Sequence, residues 1–202
     1  MISVCMATYN GECFIREQID SILLQLSEND ELIISDDGST DKTLYILKSY
    51  NDSRIKLFHH KKSSEYMKMK YGCNFYYATA NFEYALKHAH GDYIFLSDQD
   101  DIWLPGKVTR CMELLQRYDC VVHNYQKIDS TGKIFEEKAF KKSPLHKSVW
   151  LNIADNHFRG CCMAFSRKIL EYSLPFPKKL IGHDYWIGIV SSHLGSFYYE
   201  KQ

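Results

Sequence analysis

Short apolar runs alternate along this chain with stretches whose apolar residues recur at helical spacing. Ile2-Ser-Val-Cys-Met-Ala7 reads as a buried strand and Thr8-Tyr-Asn-Gly11 as a turn. Phe14 to Leu24 then predicts a helix with Ile15, Ile19, Ile22 and Leu23 on one face. Glu31 to Ser35 predicts a second strand, running into Asp36-Asp-Gly-Ser-Thr-Asp41 before Leu44 and Leu47 resume a helical stripe to about Tyr50. Arg54 to Phe58 predicts a third strand. Asn74-Phe-Tyr-Tyr-Ala78 is echoed two helical turns later by Asn81-Phe-Glu-Tyr-Ala85, so both copies share a face of one helix, read as core packing and ended by Gly91. Asp92 to Ser97 is a further strand, Lys107 to Tyr118 a helix, Asp119 to His123 a strand, and Asp129 to Gly132 a turn. Residues 136–148, polar and Lys-rich, predict a mobile loop. The remainder reads as an apolar run from Phe158 to Phe165, a short helix at Ser166 to Leu170, a break at Pro175-Phe-Pro177, a helix opening at His183 and a strand at Ser196 to Tyr199. Strands alternating with helices predict an α/β fold with a mostly parallel sheet, whose ligands sit at the carboxyl ends of the strands.

Composition narrows the function class. At 202 residues and 45% hydrophobic, the chain can bury one core of single-domain size. Lys plus Arg and Asp plus Glu both number 25, so no overall field draws it to nucleic acid or to an anionic surface. The cysteines form an odd set of seven without Cys-x-x-Cys spacing, which predicts a reducing, cytoplasmic setting. MISVCMATYN has neither a basic leader nor a long apolar segment, and no later run reaches the ~18 apolar residues of a membrane span. A soluble protein is expected, with association at the inner face of the cytoplasmic membrane left open.

Two acidic segments fall at predicted strand ends. In Asp36-Asp-Gly-Ser-Thr-Asp41, Gly38 can supply a turn, Ser39 or Thr40 can cap the following helix, and Asp41 can complement its dipole. Asp36 and Asp37 are equally suited to accept from a nucleotide base or from ribose hydroxyls. Asp98-Gln-Asp-Asp101 is harder to explain as capping, because adjacent carboxylates repel unless a cation or donors offset them. Mg²⁺ or Mn²⁺, held by one or two carboxylates together with substrate phosphates, fits that need. The spacing lacks the Gly and Glu of an EF-hand. Asp184 by itself reads as a helix cap, Cys161-Cys162 as core, and His59-His60 as too isolated for a metal site. A nucleotidyltransferase or a nicotinamide enzyme would need a Gly-rich phosphate loop, and Thr8-Tyr-Asn-Gly11 offers one glycine.

Taken together, these segments resemble the inverting glycosyltransferases of family 2, which have the GT-A fold. Val4-Cys-Met-Ala-Thr-Tyr-Asn-Gly11 with Glu12 is similar to the family's first strand and nucleotide loop, and Ile33 to Asp41 to its second loop. Asp98-Gln-Asp-Asp101 resembles the D-x-D motif, while Gly160-Cys-Cys-Met-Ala-Phe165 and His183-Asp-Tyr-Trp186 resemble the acceptor-side strand and base-bearing helix. The resemblance implies that Thr8, Tyr9 and Glu12 line the nucleotide pocket, with Asp36 facing the base and Asp37 close by. It implies contact of Asp98 with ribose or the metal-bound diphosphate, Asp100 as direct ligand of Mn²⁺ or Mg²⁺, Asp184 as catalytic base, and Lys107 holding the acidic motif. Asp101 is left to start or cap the next segment. Residues 1–101 would form the nucleotide-sugar half and 102–202 the acceptor half of one domain. The implied substrates are a UDP- or dTDP-sugar donor and a saccharide or lipid-linked acceptor in polysaccharide assembly, with a rhamnosyltransferase-like wording in FLSDQDDIW and HDYW. A non-catalytic nucleotide-sugar-binding or scaffolding domain is the alternative. Relatives of this type often continue with a Tyr-Arg-x-His-like segment that helps bind the metal, so a third ligand is expected beyond Gln202 or is lacking.

Overall fold

Strands that are apolar on both faces must be covered on both sides, and the helical stripes supply the covers. A computed structural model of the chain describes all residues except 62–72, 130, 141–144, 147, 156, 179–181 and 202. In chain order the elements are β1 (Ile2–Thr8), α1 (Ile15–Leu23), β2 (Glu31–Asp36), α2 (Thr43–Lys48), β3 (Ile55–His59), α3 (Cys73–Lys87), β4 (Tyr93–Ser97) and α4 (Lys107–Leu115). They continue with β5 (Cys120–His123), β6 (Lys127–Ile128), β7 (Ile134–Glu136), α5 (Val149–Ala154), β8 (Met163–Ser166), α6 (Arg167–Ser173), α7 (His183–Leu194) and β9 (Phe197–Glu200).

One sheet of order β3-β2-β1-β4-β8-β5-β9 runs through the molecule, and β6 pairs with β7 in a separate hairpin. Pairing is parallel except where β8 lies antiparallel to both β4 and β5. Successive side chains leave a strand on opposite faces. Val4 and Met6 therefore join Ile15, Ile19 and Ile22 of α1 and Val108 and Leu114 of α4. Cys5 joins Phe82, Ala85 and Leu86 of α3 and Ile187 and Val190 of α7 on the other side. The register sets Thr8 beside Asp36 and Met6 beside Ser97, so β1, β2 and β4 end at one edge of the sheet.

Several elements differ from their sequence-based expectation. In α3 only the second copy of the echo is core: Phe82 and Ala85 are buried, whereas Phe75 is 67% exposed. Gly91 does not end that helix, which stops at Lys87. A Cβ at Gly91 would lie 2.6 Å from the Ser3 backbone nitrogen, so the glycine serves the close approach of this turn to β1. Arg167 fixes the same turn, donating to the carbonyls of Gly91 at 2.7 Å and Ala89 at 2.9 Å. Helix α5 and the β6–β7 hairpin escaped the sequence pattern, being too short to show a period. The loop expected at 136–148 lies partly outside the described residues. Among the described residues no helix is long and apolar enough to cross a membrane.

Helix α7 seats against Phe158 through Gly188, where an added Cβ would fall 2.3 Å from the ring. Gly188→Ala should therefore destabilise the fold by about 1–3 kcal/mol through overpacking, seen as a lower urea midpoint at an unchanged slope. An unshifted midpoint would refute this packing.

Candidate active site at the strand ends

The loops after β1 and β2 are laced to each other. Asn10 adopts a left-handed conformation (φ 51°), which Asn tolerates better than most residues, and its side-chain oxygen accepts from the Thr40 N–H at 2.8 Å. The Asn10 N–H donates to Ser39 Oγ at 2.9 Å and the Gly11 N–H to Thr43 Oγ1 at 2.8 Å. Glu12 accepts from the Lys42 N–H at 2.7 Å, and its own N–H donates to Asp41 at 3.1 Å. Asp36, fully buried, accepts the N–H groups of Gly38 and Ser39 at 3.0 Å and the Ser39 hydroxyl at 2.5 Å. Glu12 and Asp36, expected to meet the nucleotide, thus turn their carboxylates onto loop backbone. Ser39 and Thr40 do not cap α2, which begins behind Lys42 without a side-chain cap. Asp41 binds Thr43 instead, and the hydrogen bonds from Thr43 and Glu12 outweigh desolvation to hold its carboxyl below the ordinary carboxylate range.

Neutral amides tie the three strand ends together. Gln99 accepts from the Thr8 hydroxyl at 2.6 Å and the Tyr9 N–H at 2.9 Å, and donates to the Tyr9 carbonyl at 3.1 Å. Asn81 donates to the carbonyls of Ser35 at 2.9 Å and Thr8 at 3.3 Å and accepts from Ser35 Oγ at 2.5 Å. Buried Gln18 donates to Ser97 Oγ at 2.6 Å and to the Asp98 carbonyl at 3.1 Å. None of these three was singled out from the sequence as a site residue. Only the position of Gln99 inside the acidic motif and of Asn81 in the echo hinted at them.

Between these ends lies a cleft of about 280 Å³ lined by Thr8, Tyr9, Asp37, Asn81, Asp98 and Asp100, with Asn74, Tyr77 and Phe82 of α3 along one side. Five of the expected site residues (Thr8, Tyr9, Asp37, Asp98 and Asp100) therefore meet in one cavity. Asp100 is exposed at its rim. Asp101 caps no helix, since α4 starts only at Lys107 behind Gly106 (φ 87°). Its carboxylate instead groups with that of Asp98 and with Cys161 Sγ, all within 4.8 Å of one another. Burial, then the charges of Asp101, Asp100 and Asp184, push the Asp98 carboxyl up to about 7. Burial also raises Asp101. Two carboxylate oxygens so close, one of them burdened by its neighbours' charge, suit a hard divalent cation; the thiol is the softer and less fitting donor.

The acceptor side is built by β8, its lead-in and α7. Lys107 Nζ donates to the Cys161 carbonyl at 2.9 Å and lies 4.0 Å from the Trp103 ring centre, and burial pulls its pKa below the usual lysine value. Cys162 is buried as expected of core, but Cys161 is only half-buried and faces the carboxylates, its Sγ 3.8 Å from that of Cys162. Asp184 accepts from the Tyr185 N–H at 2.8 Å and the Gly160 N–H at 3.3 Å. Next to it, His183 is buried, stacks on the cleft-lining Phe82 at 3.9 Å, and is held neutral by burial, with its pKa lowered to about 4. Asp184 does not line the cleft itself but lies close enough to act on the charge of Asp98.

The family model for glycosyl transferase family 2 matches residues 3–174. Over 199 residues the chain is 31% identical to the UDP-Glc:alpha-D-GlcNAc-diphosphoundecaprenol beta-1,3-glucosyltransferase WfgD of Escherichia coli, covering 96% of this chain and 71% of that protein. Over 185 residues it is 32% identical to the dTDP-rhamnosyl transferase RfbG of Shigella flexneri, covering 88% of this chain and 58% of that one. Among solved structures, S. aureus TarS 1-349 in complex with UDP-GlcNAc has a TM-score of 0.72 at 20% identity, covering all of this chain and 58% of that chain. Glucosyl-3-phosphoglycerate synthase from Mycobacterium tuberculosis, in complex with Mn²⁺, UDP and glucosyl-3-phosphoglycerate, has a TM-score of 0.64 at 21% identity and is covered to 69%. At these identities the likeness to solved structures speaks for the fold, which is the GT-A fold. The chain spans only part of the length of each of these proteins.

Asp98 makes a testable demand of the cation-free protein. Its folded value of about 7 stands above the ordinary 3.8, so the folded chain retains a proton that the unfolded chain releases. The stability this contributes is complete below about pH 4 and is lost as pH rises through about 7. In chelator-treated protein the urea midpoint should fall over that window, and Asp98→Asn should flatten the fall; an identical slope in the variant would discount the shift.

Proposed function

This chain belongs to glycosyl transferase family 2, and we propose that it moves a sugar from a UDP- or dTDP-linked donor to a saccharide or lipid-linked saccharide acceptor, with inversion at the anomeric carbon. The observation that supports this most strongly is a single cleft at the carboxyl ends of β1, β2 and β4 that gathers Thr8, Tyr9, Asp37, Asp98 and Asp100, with Asp184 of α7 near enough to raise the Asp98 carboxyl. Two relatives agree in kind, one named for UDP-Glc and a diphosphoundecaprenol-linked acceptor, the other for dTDP-rhamnose transfer. A lipid-linked acceptor would put the protein to work at the inner face of the cytoplasmic membrane.

The residues divide the task. Asp37, Thr8 and Tyr9 take the nucleoside, and Asp98 with Asp100 at the rim would hold Mn²⁺ or Mg²⁺. When bound, such a cation offsets the negative charge that grows on the departing diphosphate. Lys107 keeps the Cys161 carbonyl, and with it the thiol, in place beside Asp98 and Asp101. Asp184 takes the proton of the acceptor hydroxyl as its oxygen forms the new bond to the anomeric carbon and the bond to the diphosphate breaks. Attack from the face opposite the leaving group inverts that centre. Two backbone N–H donors, from Gly160 and Tyr185, fix the orientation of the Asp184 carboxylate.

Asp184→Asn should cut transfer about 10²- to 10⁴-fold, the usual share of a general base, while leaving UDP affinity within about threefold. Retention of wild-type turnover would remove Asp184 from the mechanism. For the cation, Asp100→Ala should weaken Mn²⁺-dependent UDP binding more than Asp101→Ala, measured by calorimetry. The opposite order would move the ion to the Asp98 and Asp101 pair.

A further inference from the structure

One side chain in the wall of this cleft has a partner that the sequence left isolated. The His60 N–H donates to the Asp36 carbonyl at 2.8 Å, carrying the β2–β3 pairing one residue past the register of Asp36 with His59. That extra rung brings the His60 ring to Asp37, with Nδ1 2.9 Å from Oδ1. Both side chains are largely buried, 15% and 3% exposed. Behind His60 stands Tyr84 of α3, ring centres 5.2 Å apart. Tyr84 packs in turn on His88 at 4.7 Å, and His88 on Phe58 at 4.1 Å. His88 Nδ1 donates to the Tyr84 carbonyl at 2.8 Å, closing the cluster. Of these rings, His60 is the one that reaches into the cleft wall, through Asp37.

Resting on the nucleotide-sugar function proposed above, we infer that His60 is a positioning residue that sets which nucleobase the cleft accepts. By donating Nδ1–H to Asp37, it fixes the orientation of a carboxylate that then offers only acceptor atoms. Uracil and thymine present an imide N–H at the edge that pairs with such an acceptor. Cytosine presents a bare ring nitrogen there, so acceptor would face acceptor, and a buried polar pair left unmatched is costly. His60 thereby favours uridine and thymidine diphosphates over the cytidine one. Without it Asp37 loses the donor that holds its Oδ1, and the distinction weakens.

Calorimetry of the full chain with UDP, dTDP and CDP in the presence of Mn²⁺ tests this, with His60→Leu to remove the donor and His60→Asn to restore a side-chain N–H near the Nδ1 position. Unmodified protein should bind UDP and dTDP at least about tenfold more tightly than CDP, the size of one mismatched buried hydrogen bond. His60→Leu should lose most of that ratio through weaker UDP binding, and His60→Asn should recover most of it. The His60→Leu protein should still unfold cooperatively above the assay temperature, at a lower melting temperature because the buried Asp37 carboxylate is left without this donor. In transfer assays His60→Leu should raise the donor KM with kcat nearly constant. A ratio unaltered in His60→Leu, or equally lost in His60→Asn, overturns the role of His60. Binding of UDP and CDP with equal strength by the unmodified chain overturns base selection while sparing the donor class. Failure to bind any of the three overturns the proposed function and this inference with it.

Discussion

Three parallel strands that end side by side leave a row of backbone groups needing partners at the spot where a ligand must be admitted. Everything else at this edge depends on meeting that need without using the carboxylates that face the cleft. Gln18, Asn81 and Gln99 do so with neutral amides, each able to donate and accept at once, and each joins segments far apart in sequence. Asp36, Asp41 and Glu12 do take on backbone duty, but they lie in the laced loops behind the cleft. Asp98 and Asp100 stay turned toward it. A charged residue in the place of Gln99 would bring further charge beside Asp98, whose carboxyl is already raised by burial and its neighbours.

Electrostatics and packing meet at this point. Burial of Asp98 and the neighbouring charges of Asp101, Asp100 and Asp184 make its ionisation unfavourable in the absence of a cation. The fold tolerates the conflict because the rest of the sheet, apolar on both faces, is well covered by α1, α3, α4 and α7. Lys107 contributes less charge compensation than its position suggests, since its ammonium is directed to the Cys161 carbonyl and the Trp103 ring.

The architecture was legible in the sequence because its central strands are continuous apolar runs and its long helices have clear stripes, so β1, α1, β2 and β4 lie within a residue or so of their expected bounds and α7 opens at its expected His183. The site was legible as segments, not as geometry. Sequence proximity suggested that Asp36 faces a ligand and that Asp101 is a cap, yet which way a carboxylate turns depends on the donors the fold presents: Ser39 and Gly38 capture Asp36, while the segment leading into β8 brings Cys161 to Asp101. His60 was opaque for the same reason, since its partner Asp37 is 23 residues away and joins it only through the β2–β3 pairing. Helix α5 and the short hairpin gave no periodic signal at all.

The antiparallel β8 has a consequence for how such proteins can diversify. It lies between β4, which delivers the acidic motif, and β5, and it hydrogen-bonds to both. The segment leading into it also sets Gly160 beside Asp184. A recombinant that took residues past β4 from a relative would have to reproduce the pairing of Tyr93 with Ser166 and of Phe95 with Ala164. A one-residue slip there would exchange the two faces of β8 and carry the Gly160 support away from Asp184. Loops and helices after β4 can therefore vary with the molecule they receive, while this one strand is held to its register as the hinge pin of any hybrid.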